Sequence, residues 1–598
     1  MSGNRDGRGA TLTVPQALQQ AAAAFERGDL AETERLCRLI LAAQPASFQA
    51  LYVLAIASGR MGHPREAAEL LARAVAIDPS RADAHYNRGV ALGELGLHEA
   101  ALESYARVLA LDPMQADAHY NRGVALESLG RPAEALASYE QAIALRPAHA
   151  EAHHNRGIAL GKLGRAAESL GAYERAIALR PDYAAAHNHR GVALAHLGRL
   201  DEALAAYERA IAIAPGYAEA HNHRAIALHE LDRAGESLAA CERALAIAPR
   251  HADAWYNHGN ALRELHRHAE AARSYERASA LDPAHASAHW NLADCRLILG
   301  DFARGWEQYE WRWKLAARQA TRREFAQPLW LGDAPLAGRT VLLHAELGLG
   351  DTLQFCRYAT EVAARGATVV LEVQAPLVML LSGLEGVARV VARGSPLPPF
   401  DLHCPLMSLP LAFRTDLDSI PARVPYLRAD AARVAAWGER LGEARRPRVG
   451  VVWSGSSGLR NDKRSMALSQ MLPLVRGGVE WVSLQKEVAE AQAPLLAAHP
   501  EIRDAGAQLA DFSETAALVQ LLDLVVTVDT SVAHVAGALG KPVWILLPFN
   551  PHDWRWLLDR EDSVWYPQAR LFRQPAPGDW ASVVARVAEA LARRFDLG

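Results

Sequence analysis

Residues 521–548 read LLDLVVTVD, TSVAHVAGALG and KPVWILLP in turn, and they predict a strand, a helix and a second strand joined by two turns. The run Leu524–Val528 is apolar and β-branched, as expected of a strand that is buried on both faces. Gly540 stands where a left-handed C-terminal cap is needed, and Pro542 prevents the helix from continuing. This stretch therefore predicts a βαβ unit of a parallel α/β domain.

The turn before the predicted helix is a candidate phosphate site. Asp529, Thr530 and Ser531 form this turn, and His534 follows one helical turn later. A hydroxyl at Thr530 or Ser531 can cap the helix, because it accepts a hydrogen bond from an otherwise unpaired amide of the first turn. The backbone amides and the positive end of the helix dipole favour an anion there. The alternative for His534 is a hydrogen bond within its own domain.

The composition indicates several domains and a reducing environment. A chain of 598 residues is too long for one hydrophobic core, and its formal charge of −4 gives no electrostatic argument for a nucleic-acid partner. The first residues lack the apolar segment of a secretory signal, and no apolar run approaches the about 20 residues that span a bilayer. The five cysteines show no metal-ligand spacing. We therefore expect a cytoplasmic protein with no membrane span and no metal.

The first half of the chain repeats with a period of 34 residues. Proline recurs at positions 45, 79, 113, 147, 181, 215, 249 and 283, and each period contains two helix-like segments separated by a turn. A glycine recurs in the first segment, where the two helices of a hairpin must approach, and a tyrosine recurs in the second segment, where we expect its ring to be buried between neighbouring hairpins. These residues are Gly89, Gly123, Gly157, Gly191 and Gly259, with Tyr105, Tyr139, Tyr173, Tyr207 and Tyr275.

This pattern resembles the tetratricopeptide repeat, a helix–turn–helix unit of 34 residues. No unit can bury its apolar face alone, so we expect an all-α solenoid, a right-handed superhelix with a concave groove. The first two units are degenerate, as expected of an end cap. The nine units are predicted to begin near Val14, Phe48, Ala82, Ala116, Ala150, Ala184, Ala218, Ala252 and Ala286.

An asparagine recurs at one equivalent position of the first helix, and histidine replaces it at His189 and His223. Carboxamides carry both donors and an acceptor, so stacked asparagines can hold the backbone of an extended polypeptide. The alternative is that asparagine is merely common at this position of the repeat. Acidic residues four positions earlier would bias such a groove toward basic or hydroxyl-bearing segments. The candidate acceptor-groove residues are Asn87, Asn121, Asn155, Asn257 and Asn291.

Two α/β halves are predicted after the repeats. Strands and helices alternate from Thr340 and again from Val449, and each alternation predicts a parallel, Rossmann-like half. The predicted parts are a disordered tail at 1–13, repeats at 14–319, a linker at 320–339, a first half at 340–428, a connector at 429–446, a second half at 447–578 and a C-terminal helix at 579–598.

Polar loops follow strands of both halves, and in a tandem pair such loops face one cleft. A Gly-Leu-Gly-Asp loop ends the first predicted strand, and a basic loop opens the second half. A glutamine ends another strand, and the turn of the opening βαβ unit completes the set. The candidate residues are Gly350, Asp351, Lys463, Arg464, Gln485, Asp529, Thr530, Ser531 and His534.

Over about residues 340–594, these loops resemble the lipopolysaccharide heptosyltransferases, glycosyltransferase family 9, which have the GT-B fold of two Rossmann-like domains. The resemblance implies a nucleotide-sugar donor with Asp351 as catalytic base. It implies phosphate contacts from Lys463, Thr530 and His534. Gln485 falls near the ribose contact of the family, but the residue type differs. The resemblance also implies a C-terminal helix that returns across the cleft to the first half.

Repeats followed by a GT-B pair are similar in architecture to the protein O-linked N-acetylglucosamine transferases. The His-Pro-Asp stretch expected of those enzymes is missing from this chain. The similarity is therefore one of architecture.

The expected chemistry needs positive groups for a leaving diphosphate and a carboxylate for the acceptor proton. Lys463 and Arg464 supply charge, with a solvated turn lysine as the alternative for Lys463. Asp351 supplies the carboxylate, with helix capping as its alternative role. The Asp416-Leu417-Asp418 sequence has the form of a metal-binding motif, but the basic loop can neutralise the diphosphate, so we interpret it as incidental.

The sequence thus predicts a metal-independent, inverting GT-B glycosyltransferase without a cofactor. It would transfer a sugar from a nucleotide-sugar donor to a polypeptide or glycan acceptor held by the repeats. The segment 554–572, rich in Trp and Arg, is interpreted as packing rather than as a sugar platform. The alternative function is a protein–protein scaffold with an inactive transferase-like domain.

Overall fold

The computed structural model describes residues 4–5, 11–455, 463–550 and 553–597. The chain divides into two compact units, Met1–Pro249 and Arg250–Gly598. The predicted disordered tail lies mostly outside the described residues, and its described part contains the antiparallel strands β1 (Asn4–Arg5) and β2 (Thr11–Leu12). Within the described ranges, no helix has both the length and the apolar character needed to cross a membrane.

The first unit consists of helix pairs, and each helix packs against the next one in the chain. The pairs begin at the residues predicted from the 34-residue period. The helices are α1 (Val14–Glu26), α2 (Leu30–Ala43), α3 (Phe48–Arg60), α4 (Pro64–Ile77), α5 (Ala82–Glu94), α6 (His98–Leu111), α7 (Ala116–Ser128), α8 (Pro132–Leu145), α9 (Ala150–Lys162), α10 (Ala166–Leu179), α11 (Ala184–His196), α12 (Leu200–Ile213), α13 (Ala218–Glu230) and α14 (Ala234–Ile247).

The recurring glycine makes room for the recurring tyrosine. A Cβ atom at Gly157 would lie 2.5 Å from Cε1 of Tyr173, a distance that real Cβ contacts do not reach. The other Gly–Tyr pairs show the same close approach. The repeat that begins at Ala218 has Ala225 in place of the glycine and Cys241 in place of the tyrosine, and both are buried. A larger residue on one helix is thus matched by a smaller residue on the other.

The recurring histidines of the first helices also have a packing role. Nε2 of His153 lies 3.0 Å from the carbonyl oxygen of Pro147, six residues earlier. This bond ties the first helix of a repeat to the proline at the end of the preceding repeat. The same contact is made by His85, His119, His187, His221 and His289.

The second unit begins with the last two repeats. Phe302, Trp306 and Tyr309 are buried in one apolar cluster with the first α/β half. The compact unit therefore starts at Arg250 and not in the predicted linker at 320–339, because the last repeat packs directly onto the α/β region. Its helices are α15 (Ala252–Glu264), α16 (His268–Leu281), α17 (Ala286–Ile298), the short α18 (Phe302–Tyr309), a 3₁₀ turn (Glu310–Lys314) and α19 (Ala316–Gln319).

Ten strands in the described part of the α/β region form two parallel sheets. They are β3 (Thr340–His344), β4 (Thr368–Val373), β5 (Val387–Ala392), β6 (Leu402–Pro405), β7 (Arg448–Val452), β8 (Glu480–Ser483), β9 (Ile502–Asp504), β10 (Leu524–Val528), β11 (Val543–Leu547) and β12 (Ala569–Arg573). The first sheet has the order β5-β4-β3-β6 and the second the order β12-β11-β10-β7-β8-β9, so the described chain has the predicted pair of GT-B halves.

Helices connect and cover these strands. They are α20 (Leu349–Phe355), α21 (Tyr358–Ala364), α22 (Val378–Leu381), α23 (Leu409–Ala412), α24 (Ala431–Leu441), α25 (Leu468–Met471), α26 (Ala493–Ala497), α27 (Phe512–Gln520), α28 (Ser531–Ala538) and α29 (Trp580–Phe595). Short 3₁₀ turns lie at Ala375–Leu377, Leu406–Ser408, Leu472–Leu474, Gly506–Gln508 and Trp554–Trp556.

The strand predicted from the opening stretch lies at the centre of the second sheet. All five residues of β10 are buried, and the strand pairs with β7 and β11. Gly540 has a φ of 71°, the left-handed conformation predicted for the end of α28. The chain order reverses between β7 and β10, and this switch point opens a crevice at the carboxyl ends of the two strands.

The C-terminal helix packs on its own half. Val583, Val587 and Leu591 of α29 are buried in the cluster that contains Val449 of β7 and Val526 of β10. The expectation that this helix crosses to the first half is therefore wrong, because strands of the second half take up its apolar face.

Candidate functional site

A cavity of about 490 Å³ lies at the carboxyl ends of β7, β8 and β10. The Gly348–Asp351 loop of the first half forms one of its walls. Lys463 is exposed and is not among the lining residues, and residues 456–462 of the predicted basic loop lie outside the described ranges. The predicted residues that line the cavity are Gly350, Asp351, Arg464, Gln485, Asp529, Thr530, Ser531 and His534.

Asp351 both lines the cavity and caps a helix. Its Oδ2 accepts a hydrogen bond from the amide of Gly348 at 2.8 Å, in the first turn of α20. Its Oδ1 accepts a bond from Nη2 of Arg555 in the second half. A carboxylate offers about four lone-pair positions, so these two bonds leave others directed elsewhere.

Arg555 joins the two halves through an ion-pair network that the sequence analysis missed. Its guanidinium is buried, and Nη1 lies 2.9 Å from both carboxylate oxygens of Asp553, which also lines the cavity. The opposite charges of Asp553 and Asp351 raise the pKa of Arg555, although burial opposes the shift and is the largest single cause. The arginine therefore stays charged and holds a carboxylate of each half. Its only signal in the sequence is a charged residue between Trp554 and Trp556.

The N-terminus of α28 faces the cavity without the predicted hydroxyl cap. Thr530 occupies the N-cap position, but its own side chain accepts no hydrogen bond from the first-turn amides. The Thr530 hydroxyl instead lies 3.1 Å from the Thr527 hydroxyl. The first amides of α28 can therefore serve an anion in the cavity rather than a side chain.

His534 is buried at the inner end of this turn. Its Nδ1 lies 2.9 Å from the hydroxyl of Tyr566, and its ring stacks on Trp556 with centroids 5.7 Å apart. Burial, assisted by the nearby cations Arg555 and Arg357, lowers the pKa of His534 to about 3. The imidazole is therefore neutral at neutral pH.

Asp529 is buried at the end of β10. Burial raises the pKa of Asp529, and the negative charge of Asp553 adds to this shift, whereas Arg464 opposes it. A carboxyl group that binds a proton more readily repels a nearby anion less.

Gln485 has a backbone-holding role in place of the predicted ribose contact. Its Oε1 accepts bonds from the amides of Trp453 and Ser454 at 3.2 and 3.1 Å. Its Nε2 donates to the carbonyl oxygens of Ser454 and Glu487 at 3.1 and 3.0 Å. These four bonds use the whole carboxamide, so Gln485 fixes the loops after β7 and β8 and has no donor left for a ligand.

The Asp416–Asp418 motif lies in a turn of the first half. Oδ1 of Asp416 accepts bonds from the amides of Asp418 and Ser419 and from the Ser419 hydroxyl, at 3.1, 2.8 and 2.7 Å. Asp416 therefore organises this turn.

The recurring asparagines bond to tyrosines of the preceding repeat. In the first unit, Nδ2 of Asn121 donates to the Tyr86 hydroxyl at 3.0 Å. Asn87 and Asn155 make the same bond to Tyr52 and Tyr120, at 3.0 and 3.2 Å. In the second unit, Nδ2 of Asn291 lies 3.5 Å from the Tyr256 hydroxyl and 2.9 Å from Oδ1 of Asn260, while Asn257 occupies the equivalent position of α15.

Where histidine replaces the asparagine, the partner changes as well. Nδ1 of His189 lies 2.9 Å from Nε2 of His154, and Nδ1 of His223 lies 3.0 Å from Oδ1 of Asn188. His154 and Asn188 stand at the position that carries a tyrosine at Tyr52, Tyr86, Tyr120 and Tyr256. The position is therefore a polar bridge from repeat to repeat.

Two acidic residues of the candidate groove, Asp117 and Glu151, are ion-paired. The carboxylate of Asp117 accepts hydrogen bonds from Nη1 and Nη2 of Arg146 at 2.8 and 2.9 Å. The carboxylate of Glu151 accepts one from Nη1 of Arg180 at 2.9 Å. These pairs reduce the negative charge that was expected to favour basic segments.

A second buried arginine connects the last repeat to the Asp351 loop. Nε and Nη2 of Arg312 lie 3.1 and 3.0 Å from the two carboxylate oxygens of Glu346. Arg312 also donates to Glu310 at 2.6 Å and to the Ser408 hydroxyl at 2.7 Å, and its side chain is only 1% exposed. Since Glu346 precedes Gly348 by two residues, this ion pair holds the chain directly before the loop that lines the cavity.

These features define a repeat solenoid with a GT-B α/β region. Residues 94–130, 116–149, 154–218 and 256–310 match tetratricopeptide repeat families. Residues 485–565 match glycosyltransferase family 9 (heptosyltransferase). The chain thus consists of tetratricopeptide repeats followed by a glycosyltransferase family 9 domain.

Protein FlbA of Caulobacter vibrioides is similar to this chain, with 29% identity over 331 residues that cover 50% of this chain and 54% of FlbA. The chain therefore spans about half the length of this curated relative. A crystal structure of MamA is 27% identical, covers 27% of this chain and 96% of its own, and has a TM-score of 0.27. YrrB, described as a TPR protein with an unusual peptide-binding site, is 26% identical, covers 31% and 96%, and has a TM-score of 0.28.

Proposed function

We propose that the glycosyltransferase domain transfers a sugar from a nucleotide-diphosphate donor in the cavity to a polypeptide acceptor presented by the repeats. One observation carries the proposal: the start of α28, which the Thr530 side chain does not cap, and Arg464 from the second half meet Asp351 from the first half in one cavity. An anion-binding wall opposite a carboxylate is the arrangement that glycosyl transfer requires.

The donor diphosphate binds at the start of α28. The first amides of α28, the Thr530 and Ser531 hydroxyls and the Arg464 guanidinium provide donors for the charge that grows on the leaving group. Asp529 adds little repulsion, because burial raises its pKa. In this proposal the charge of the leaving group is neutralised by the protein itself and not by a metal ion.

Asp351 acts as the general base. The acceptor oxygen attacks the anomeric carbon, the bond from this carbon to the diphosphate oxygen breaks, and the acceptor proton passes to Asp351. A single displacement from the face opposite the leaving group inverts the anomeric configuration. Arg555 and Gly348 fix the carboxylate while leaving lone pairs for this proton.

The test is a donor screen with the intact protein. We expect one of the UDP-, GDP-, dTDP- or ADP-sugars to raise the melting temperature, since a ligand that binds only the folded state stabilises it. Arg464→Gln should lower the affinity for that nucleotide sugar by about tenfold, which is the effect of losing one charge-assisted contact of about 1.4 kcal/mol. Arg322→Gln, in the exposed linker, is the matched control and should not change it.

Metal dependence and donor consumption distinguish the proposal from its alternatives. Added chelator should leave donor binding and turnover unchanged, whereas a strict need for Mg²⁺ or Mn²⁺ would contradict the metal-free proposal. A donor that binds but is never consumed would instead support the scaffold hypothesis.

A further inference from the structure

We infer that Tyr566 is a positioning residue that keeps His534 in the Nε2–H tautomer, so that a neutral imidazole donates a hydrogen bond to the diphosphate. The identity of the ligand rests on the proposed function, whereas the tautomer rests on the hydrogen bonds around Tyr566.

The proton positions follow along a chain of hydroxyls. The Tyr426 hydroxyl donates to the carbonyl oxygen of Leu353 at 2.9 Å and accepts a bond from Nη2 of Arg357 at 3.0 Å. Its single proton is therefore not available for Tyr566, whose hydroxyl lies 3.4 Å away.

Tyr566 then has two possible acceptors for its own proton. Tyr426 is at 3.4 Å, long for a bond between hydroxyls, whereas Nδ1 of His534 is at 2.9 Å. The Tyr566 proton therefore points to Nδ1. Since a neutral imidazole carries one N–H, that proton is on Nε2.

The Nε2 edge of His534 lies beside the first half. A Cβ atom at Gly350 would be 2.8 Å from Cδ2 and 3.3 Å from Nε2 of His534. Gly350 thus allows the loop of Asp351 to approach the edge that carries the proton. Both residues line the cavity, so this edge of the ring lies where the two halves meet beside the cavity.

The charged groups around His534 keep the ring neutral. Arg555 and Arg357 disfavour a second proton, Asp553 favours it, and burial has the largest effect and disfavours it. A neutral donor binds an anion without a separate protonation step, so this contact should not weaken as the pH rises from about 5 to 8.

A double-mutant cycle with inorganic pyrophosphate as the probe tests the inference. Tyr566→Phe removes the hydroxyl that holds the proton of His534 on Nε2. It should lower the affinity for pyrophosphate by about tenfold, which corresponds to one hydrogen bond of about 1.4 kcal/mol. In a His534→Gln background the amide supplies an N–H of its own. Tyr566→Phe should then change the affinity less than about twofold, because the effect runs through the histidine.

The matched control is Tyr358→Phe. Tyr358 is a buried tyrosine of the same unit whose hydroxyl lies 2.9 Å from the Thr415 hydroxyl. Tyr358→Phe removes a comparable hydrogen bond at a place that does not touch His534, so the affinity for pyrophosphate should be unchanged. Equal losses from Tyr566→Phe in both backgrounds would overturn the inference, because Tyr566 would then act through packing alone.

Nitrogen-15 NMR of histidine-labelled protein gives an independent readout. The His534 signals, assigned by their loss in His534→Gln, should show a protonated Nε2 and an unprotonated Nδ1 from pH 5 to 8. A protonated Nδ1 overturns the inference, even if His534→Gln binds too weakly for the cycle. If the cycle and the spectrum hold but no nucleotide sugar is consumed, the proposed function fails and the inference stands.

Discussion

At the scale of single residues, the polar side chains of the site divide into those that face the cavity and those that hold its walls. Arg464, Thr530 and Ser531 line the cavity. The carboxamide of Gln485 instead makes four hydrogen bonds to backbone atoms. The sequence alone places Gln485 at a strand end but does not reveal these partners. Three of the four bonds join Gln485 to Trp453 and Ser454, about 30 residues away, and no local pattern predicts them.

The asparagines of the repeats show the same limit. Their 34-residue spacing is visible in the sequence, but their bonds to tyrosines of the preceding repeat are not. The substitutions at His154 and Asn188, matched to His189 and His223, are the signal that identifies a repeat-to-repeat bridge. That signal appears only when two positions 35 residues apart are compared.

We predict that Asn121→Ala lowers the stability of the repeats by about 1 kcal/mol, because it leaves the Tyr86 hydroxyl without its donor. Tyr86→Phe added to Asn121→Ala should cost little more, since both partners are then gone. Thermal melting of the single and double variants measures this coupling. If Asn121→Ala leaves melting unchanged but abolishes transfer to a protein acceptor, the asparagine serves the acceptor and not the bridge.

At the scale of elements, the short helix α18 and the turn after it have the most unexpected role. Their Trp- and Arg-rich sequence reads as the end of the repeats. In the structure Trp306 donates its indole N–H to the carbonyl oxygen of Thr415 at 3.0 Å, and its ring lies 5.0 Å from that of Trp554. The element thus contacts both α/β halves. Helix and strand positions were predictable from periodicity, but this docking depends on three distant segments of chain.

Arg312→Met should destabilise the second unit by about 3–5 kcal/mol, because it leaves the Glu346 carboxylate, whose side chain is only 6% exposed, and the partly buried Glu310 without their cation. Adding Glu346→Gln should recover part of this loss by removing one of the two charges. Arg322→Met, in the exposed linker, is the control. Melting temperature and donor turnover measure both effects. Equal melting of Arg312→Met and the control would show that the network does not support the Asp351 loop.

At the scale of the whole molecule, the division into repeats and two parallel sheets was predictable because each part has its own period. The 34-residue spacing predicts the start of each helix pair, and the alternation of strands and helices predicts the sheets. The boundary between the two compact units was not predictable, since Phe302, Trp306 and Tyr309 bury their rings in a cluster that the last repeat shares with the α/β region. The Arg555 network was missed for the same reason: its partners belong to different halves.

The most direct test of the central claim is the release of nucleoside diphosphate from the donor that the screen identifies, with denatured protein extract as acceptor. The intact protein should consume this donor, and Asp351→Asn should slow consumption by about 10²–10⁴ while donor affinity changes little. Asp418→Asn, the same change in an exposed turn of the first half, should turn over at the normal rate. Equal turnover by Asp351→Asn and the intact protein, or a donor bound and never consumed, would contradict the account.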